Sequence, residues 1–258
     1  MFKNLRQYWH IVNLKTVFIS ALAVASTYFC IEYEWVADFP LTIISTAIVF
    51  PIVFSIGGAY KRREAALDDY GILKSHGKAI YFASRDWLPE QNEQVQEKCR
   101  NHLESLLSSC RKLFTEPVSE LRKNEEEVYQ SFSNLSKFIR TDLREQGLAG
   151  GEVSRCNQYL SKMMTAFESV KHVYQYRTPR TLRAFSDLFI KILPPLYGPY
   201  FAYLALDLKP ELVYVMPVLF AVILVSLDNI QNHLENPFDQ VGEDDVIINV
   251  EQFVERLR

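Results

Sequence analysis

Four apolar segments, arranged as two pairs, dominate the pattern of hydrophobic and polar positions along the chain. No charged residue occurs within residues 16–31, 41–60, 192–206 or 212–227. A helix rises about 1.5 Å per residue, so about 20 residues cross a bilayer core of about 30 Å. The second segment reaches that length by itself, and the other three reach it with flanking residues. The pattern therefore predicts an all-α membrane protein with four transmembrane helices.

The long stretch between the two pairs is polar and amphipathic. Single apolar stripes at helical spacing predict three helices there, around residues 89–115, 118–145 and 153–174. Such stripes are typical of core-facing helices in a small bundle, which we expect to be cytosolic. The prediction thus divides the chain into four parts: an N-terminal interfacial helix with transmembrane helices 1 and 2 (1–60), a cytosolic helical region (61–182), transmembrane helices 3 and 4 (183–230), and an acidic C-terminal tail (231–258).

Charged residues flank the apolar segments asymmetrically. The link between the first two segments, residues 32–40, contains acidic residues and no basic one. Basic residues gather before the first segment and after the second, at Lys3, Arg6, Lys15, Lys61, Arg62 and Arg63. Because basic residues favour the cytoplasmic side, both termini and the middle region are expected there, in a plasma or inner membrane. The second segment is also expected to continue as a helix beyond residue 60.

Average composition alone would indicate a soluble protein, since the 258 residues are 48% hydrophobic and carry a net charge of −3. A soluble fold would bury the four apolar segments as core helices. Those helices would need apolar partners of similar length, and the middle region offers only amphipathic stripes. The four cysteines form no C-x-x-C pattern, so reduced thiols are expected rather than a zinc site.

No set of catalytic residues is recognisable in the sequence. The five histidines are scattered, and none has metal-ligand spacing with another. A phosphate-binding glycine loop, a nucleophile elbow and a basic surface with interleaved aromatic residues are all missing from the sequence. The chain is therefore predicted not to be an enzyme or a nucleic-acid-binding protein, and no cofactor is implied with certainty.

The second apolar segment carries unusual residues for a buried helix. Phe50 and Phe54 are four residues apart and share one helix face, on which Gly57 and Gly58 follow. Pro51 removes one backbone hydrogen bond, and the glycines permit close approach of another helix. The two aromatic rings pack against a neighbouring helix or, if repeated around a symmetry axis, form hydrophobic rings that constrict a pore.

An acidic stretch follows the fourth apolar segment. Its candidate cation-binding residues are Asn236, Asp239, Glu243, Asp244 and Asp245. Carboxylates together with loop carbonyls suit a hard cation such as calcium, although the spacing is not that of an EF-hand. The alternative is a solvated acidic turn that binds nothing.

These two features, in this order, resemble the bestrophin family of membrane channels. The family's second membrane helix carries an apolar-Pro-x-x-Phe-x-x-Gly pattern, which here spans residues 50–57. After its last membrane helix the family has Asn/Asp-Pro-Phe and an acidic cluster, here Asn236-Pro237-Phe238 and then residues 242–245. In architecture, with two helices, a helical insert and two further helices, the resemblance covers the whole chain.

The resemblance implies a homopentamer in membrane lipid with a central pore for small ions, chloride above all. Its hydrophobic neck would be formed by Phe50, Phe54 and Gly58, the last position being bulky and aromatic in most of the family. Pro51 and Gly57 would be marks of the same neck. Lys61, Arg62 and Arg63 would form a cationic mouth at its cytoplasmic end. Calcium would be held by Asp244 and Asp245 with backbone carbonyls, as in calcium-gated members.

Three other functions are compatible with the residues. One is a cation-conducting member of the same family. Another is a membrane-anchored helical interaction or sensor protein without a pore. The third is a transporter with a midplane site at the proline-broken third segment. Separately, Asp187 and Lys191, just before that segment, are spaced to pair on one helix face, either at the cytoplasmic interface or in a pore.

Overall fold

Every regular element in the part of the chain that the computed structural model describes is helical, as the sequence predicts. The described residues are 12–176, 180–207, 209, 212–235, 237–238 and 245–257. The helices are α1 (Leu14–Glu32), α2 (Leu41–Asp86), α3 (Glu93–Thr115), α4 (Leu121–Arg140), α5 (Asp142–Glu145), α6 (Gly150–Gln175), α7 (Arg180–Leu196), α8 (Gly198–Leu204), α9 (Val215–Glu235) and α10 (Val250–Glu255). A 3-10 turn at Val118–Glu120 precedes α4.

The chain forms two compact units. The apolar unit comprises Met1–Lys61, Arg177–Asn236 and Val241–Asp244, and the bundle unit comprises Arg62–Tyr176, Pro237–Gln240 and Asp245–Arg258. Among the described helices, α1, α2 and α9 are long and apolar enough to cross a membrane by length and composition. The third apolar segment is instead divided between α7 and α8, with the break at Tyr197.

Helix α1 begins at Leu14 with a polar cap, at the end of the N-terminal stretch for which an interfacial helix is predicted. The side chain of Asn13 accepts a hydrogen bond from the Thr16 backbone N–H, and the Thr16 hydroxyl accepts one from the Asn13 N–H. This reciprocal pair satisfies two N–H groups that the first helical turn leaves without partners. Residues 14 and 15 therefore belong to α1, and the rest of the predicted interfacial helix up to residue 11 lies outside the described residues.

The break between α7 and α8 is stabilised by α1. Pro199 has no N–H, so the carbonyl of Pro195, four residues earlier, loses its usual helical donor. The hydroxyl of Ser26 in α1 donates to this carbonyl at 2.6 Å. A neighbouring helix thus supplies the hydrogen bond that the proline removes, as a proline-containing apolar helix requires.

Helices α1 and α8 also approach each other closely at this place. A Cβ atom added to Gly198 would overlap the Ser26 hydroxyl oxygen and lie 3.0 Å from the Ser26 carbonyl carbon. Only glycine therefore fits at the start of α8 with the backbones at this distance. Around this contact, the core of the apolar unit contains Ile19, Ile52, Leu193, Tyr197, Phe201 and Leu224.

The bundle unit packs amphipathic helices around one core. Helix α2 continues without interruption to Asp86, as predicted, and the core lies between it and α3, α4 and α6. The helix predicted at 118–145 is divided at Thr141 into α4 and α5, and α5 ends shortly before Gly147, whose φ is +95°. Fully buried side chains in this core include Ile80, Leu103, Leu106, Phe132, Leu135 and Phe167.

One buried cation links α4 and α6. Lys171, which is 8% exposed, donates to Glu125 at 2.8 Å and to the Tyr129 hydroxyl at 2.6 Å, and it pairs with Glu168 at 2.7 Å. Burial alone would lower the pKa of Lys171, but these hydrogen bonds outweigh it and raise the pKa above its usual value. The ammonium group therefore stays charged although it is enclosed by the bundle.

The contact between Gly198 and Ser26 yields a stability prediction. We expect Gly198→Ala to destabilise the protein by about 2 kcal/mol, because overpacking a close backbone contact forces the two helices apart. Gly71→Ala is the matched control, since a Cβ at Gly71 in α2 meets no atom within 4 Å. This control should be neutral or stabilising by up to about 1 kcal/mol, because alanine favours the helix. Thermal unfolding in detergent measures both, and equal unfolding temperatures for the two variants would contradict the assignment.

Candidate functional site

Helix α2 has two unlike faces in the apolar unit. Ile52 and Ala59 are completely buried, whereas Phe50 and Phe54 on another face are 61% and 64% exposed. The two aromatic rings contact each other edge to face, with centroids 4.6 Å apart and an angle of 70° between their planes. The residues predicted to form a neck therefore lie together on a face that the single chain leaves uncovered.

The helix-weakening residues lie within the same uninterrupted helix. Pro51 is inside α2, and Gly57 and Gly58 follow about two turns later without a break. A Cβ atom added at either glycine would meet no atom of a neighbouring helix within 4 Å. Close helix packing inside one chain therefore does not explain these glycines, and the space beside them is open.

The three predicted mouth cations continue along α2. Lys61 is exposed and lies seven residues, or about two turns, after Phe54, so both residues share one helix face. Arg62 and Arg63 are half-buried, and Arg63 Nη1 donates to Glu64 at 2.6 Å. Of the three cations, Lys61 thus lies in line with the aromatic pair.

The acidic tail is described only at its ends. Asn236, Asp239, Glu243 and Asp244 lie outside the described residues, and Asp245 is half-buried. Phe238 is buried in the bundle unit, where its ring stacks on Phe114 at 4.9 Å. The Val246 N–H donates to the Pro237 carbonyl at 2.7 Å, which joins the two sides of the acidic stretch.

The described residues contain no group of three or more His, Cys, Asp or Glu side chains placed to hold a metal ion. Because Asp244 is outside that set, calcium binding at Asp244 and Asp245 stays a prediction. The Asn-Pro-Phe motif itself has a structural role at Phe238, which packs against both Phe114 and Tyr174 in the bundle unit.

A network of charged side chains joins α1, α7 and α9 in the apolar unit. Lys15 Nζ lies 2.5 Å from Asp228 Oδ2 and 3.4 Å from Asp187 Oδ1. Lys191 also pairs with Asp187, at 2.6 Å, which confirms the pair expected from their spacing. Lys15 therefore bridges one acidic residue from each of two other helices.

The network continues along α9 towards its end. Asn232 donates to Asp228 at 3.2 Å and accepts from Arg183 at 3.1 Å. Arg183 Nη1 also lies 2.9 Å from Glu235 Oε2. Asp228 and Glu235 are almost completely buried, so these contacts neutralise carboxylates that have lost their water. Apart from the Asp187–Lys191 pair, sequence reasoning did not predict this network. The visible signal in the sequence was the presence of charged residues at the ends of apolar segments.

The fold has clear relatives among solved structures, but the sequence matches no protein-family model and no curated protein. A bacterial bestrophin homologue from Klebsiella pneumoniae aligns with a TM-score of 0.79 and 16% identity, covering 94% of this chain and 96% of that one. A single-site variant of that homologue gives a TM-score of 0.80 at 18% identity, covering 94% and 99%. A crystal structure described as a membrane protein variant gives 0.81 at 17% identity, covering 95% and 98%.

These likenesses extend over nearly the whole length of both chains. At this sequence identity they establish architecture, so the chain adopts a bestrophin-like, all-α membrane-protein fold. The resemblance inferred from the neck pattern and the Asn-Pro-Phe motif is thereby confirmed at the level of the fold.

The ion network of α1 yields a second stability prediction. We expect Lys15→Met to destabilise the apolar unit by about 3 kcal/mol, because it leaves the buried carboxylate of Asp228 without its cation. Lys191→Met is the matched control, since Lys191 and Asp187 are both about half exposed, at 50% and 45% of their side chains. Its effect should stay below about 1 kcal/mol.

Thermal unfolding in detergent compares these two variants. The double variant Lys15→Met with Asp228→Leu should recover part of the lost stability, because it removes the stranded charge together with its partner. If Lys191→Met proved as damaging as Lys15→Met, the central position of Lys15 in the network would be refuted.

Proposed function

We propose that this protein is a homopentameric ion channel that conducts chloride or other small anions passively through a central pore, and that it has no enzymatic activity. The observation that carries the proposal is the uncovered aromatic face of α2 in a bestrophin-like fold. Phe50 and Phe54 are both more than 60% exposed in the single chain. Five copies placed around one axis would turn this face into two stacked hydrophobic rings, and Gly58 would add no third ring.

Such a neck would control ion flow by excluding water. A narrow apolar constriction dewets and so blocks ions until it widens. Aromatic rings carry positive partial charge at their edges, which favours an anion over a cation of similar size.

Lys61, together with Arg62 and Arg63, would increase the anion concentration at one end of the neck. Charges of one sign at the mouth of a low-dielectric passage focus the electric field there. With the basic flanks facing the cytoplasm, both chain termini and the bundle unit would lie on that side of a plasma or inner membrane. Calcium bound near Asp244 and Asp245 would be a candidate gating ligand.

Removing the aromatic neck tests the pore assignment. We expect Phe50→Ala with Phe54→Ala to raise chloride flux in liposomes about tenfold, which corresponds to a barrier lowered by about 1.4 kcal/mol. The reversal potential in asymmetric KCl, measured on the wild type and on Phe54→Ala, gives the ion selectivity. For the wild type it should lie near the chloride equilibrium potential.

Phe18→Ala is the matched control for this experiment. Phe18 lies on α1 and is 65% exposed, so the substitution removes a similar ring from a different apolar surface. It should leave flux and selectivity unchanged. A reversal potential near that of potassium would indicate a cation-conducting channel, and no flux in any variant would favour a membrane-anchored interaction or sensor protein.

Oligomeric state is the second test of the proposal. Five chains of 30.0 kDa each would give a particle of about 150 kDa. Native mass spectrometry from a mild detergent should show this mass without the monomer. A monomer or dimer as the dominant species would refute a central pore, because the α2 face would then be covered by lipid alone.

A further inference from the structure

A cationic cavity of about 350 Å³ lies in the bundle unit between α2 and the C-terminal segment, residues 245–257. Lys74 and Lys78 reach it from successive turns of α2, and Arg256 reaches it from the end of α10. Among the described residues that line the cavity, every charged one is basic. Two segments far apart in the sequence thus bring three positive charges to one concave surface.

These three cations have no counter-charge among the described residues. Neither Lys74, Lys78 nor Arg256 forms an ion pair there, and Glu251 of α10 pairs instead with Arg111 at 2.8 Å. Burial, followed by the positive charges of Lys78 and Arg256, lowers the pKa of Lys74. The bundle therefore holds like charges together at a place where a bound anion would relieve their repulsion.

The remaining lining of the cavity suits a hydrogen-bonding anion. Asn249 and Gln252 contribute amide groups, and the Asn249 side-chain oxygen is already engaged by the Gln252 backbone N–H at 2.9 Å. The amide N–H₂ of Asn249 is therefore left as a donor. Lys74 is held in place over the ring of Tyr70, with its ammonium nitrogen 4.3 Å from the ring centroid.

We propose that this cavity binds a small anion that carries two phosphate groups and that bridges α2 to the C-terminal segment. A single phosphate ester carries about −1.5 to −2 charges at pH 7, which is less than the three cations supply. A diphosphate matches them more closely, and its several oxygens can contact both lysines and Arg256 at once. Bound ligand would then hold α10 against α2.

A second basic cavity in the bundle unit, of about 650 Å³, is an alternative binding site for the same anion. It is lined by Lys137, Arg140 and Arg144 around the start of α6. All three cations come from adjacent turns of α4 and α5, so a ligand there would join no distant segment. The experiment must therefore separate these two sites.

Pyrophosphate is the probe, and isothermal titration calorimetry of the full-length protein in detergent measures its binding. We expect the wild type to bind it and Lys74→Gln with Lys78→Gln to weaken the affinity at least about tenfold for each cation removed. Arg122→Gln with Lys123→Gln removes two charges from an exposed part of α4 and should leave the affinity unchanged. No binding by the wild type would overturn the proposal.

A second variant fills the cavity without removing a charge. Gly71 lines the cavity, and a Cβ there meets no atom within 4 Å, so the side chain of Gly71→Leu would occupy the ligand's space. We expect it to weaken pyrophosphate binding about tenfold as well. Unchanged affinity in both variants would overturn the site, as would loss of binding only in Lys137→Gln, Arg140→Gln and Arg144→Gln combined.

Hydrogen exchange supplies a readout for the bridging role. Pyrophosphate should slow exchange of the amides of α10 in the wild type and not in Lys74→Gln with Lys78→Gln; equal protection in both would refute the bridge.

Titration with a short-chain phosphatidic acid distinguishes a lipid headgroup from a soluble anion, and tighter binding of this monophosphate lipid than of pyrophosphate would overturn the diphosphate assignment. Because binding needs no ion gradient, these results are independent of whether the protein conducts ions.

Discussion

The apolar unit depends on one constraint: a polar group that loses its water must find a partner inside the protein. Two contacts of α1 satisfy it. Ser26 donates to the Pro195 carbonyl that Pro199 leaves without a helical donor, and Lys15 neutralises the buried carboxylate of Asp228. These contacts fix α1 against α7, α8 and α9. The packing of the apolar helices therefore follows from a few polar pairs as well as from the fit of their side chains.

Helix α2 connects this packing to the proposed function. Ile52 and Ala59 bury one face completely, which sets the rotation of the helix and places Phe50 and Phe54 on the uncovered side. An exposed apolar face of this kind must be covered by lipid, by another copy of the chain or by a water-poor pore. The pore is the explanation that we propose.

In the bundle unit, too, a buried charged group has partners inside the protein. Lys171 is enclosed by the bundle and satisfied by Glu125, Glu168 and Tyr129. Phe238, which precedes the C-terminal segment, packs against Phe114. The C-terminal segment carries Arg256 to the cavity lined by α2, where no acidic side chain among the described lining residues balances the charges. Lys171 has acidic partners, whereas the cations of this cavity have none among the described residues, which is why we propose an anion there.

The sequence by itself determines the helices, because apolar spacing follows the helical period, and it places Phe50 and Phe54 on one face because they are four residues apart. Only the tertiary structure decides which side chains meet across the fold. Ser26 and Pro195 are separated by 169 residues, and Lys15 and Asp228 by 213, so no local pattern joins them. Likewise, Lys74 and Arg256 line one cavity because of packing, since they belong to segments that only the folded chain brings together.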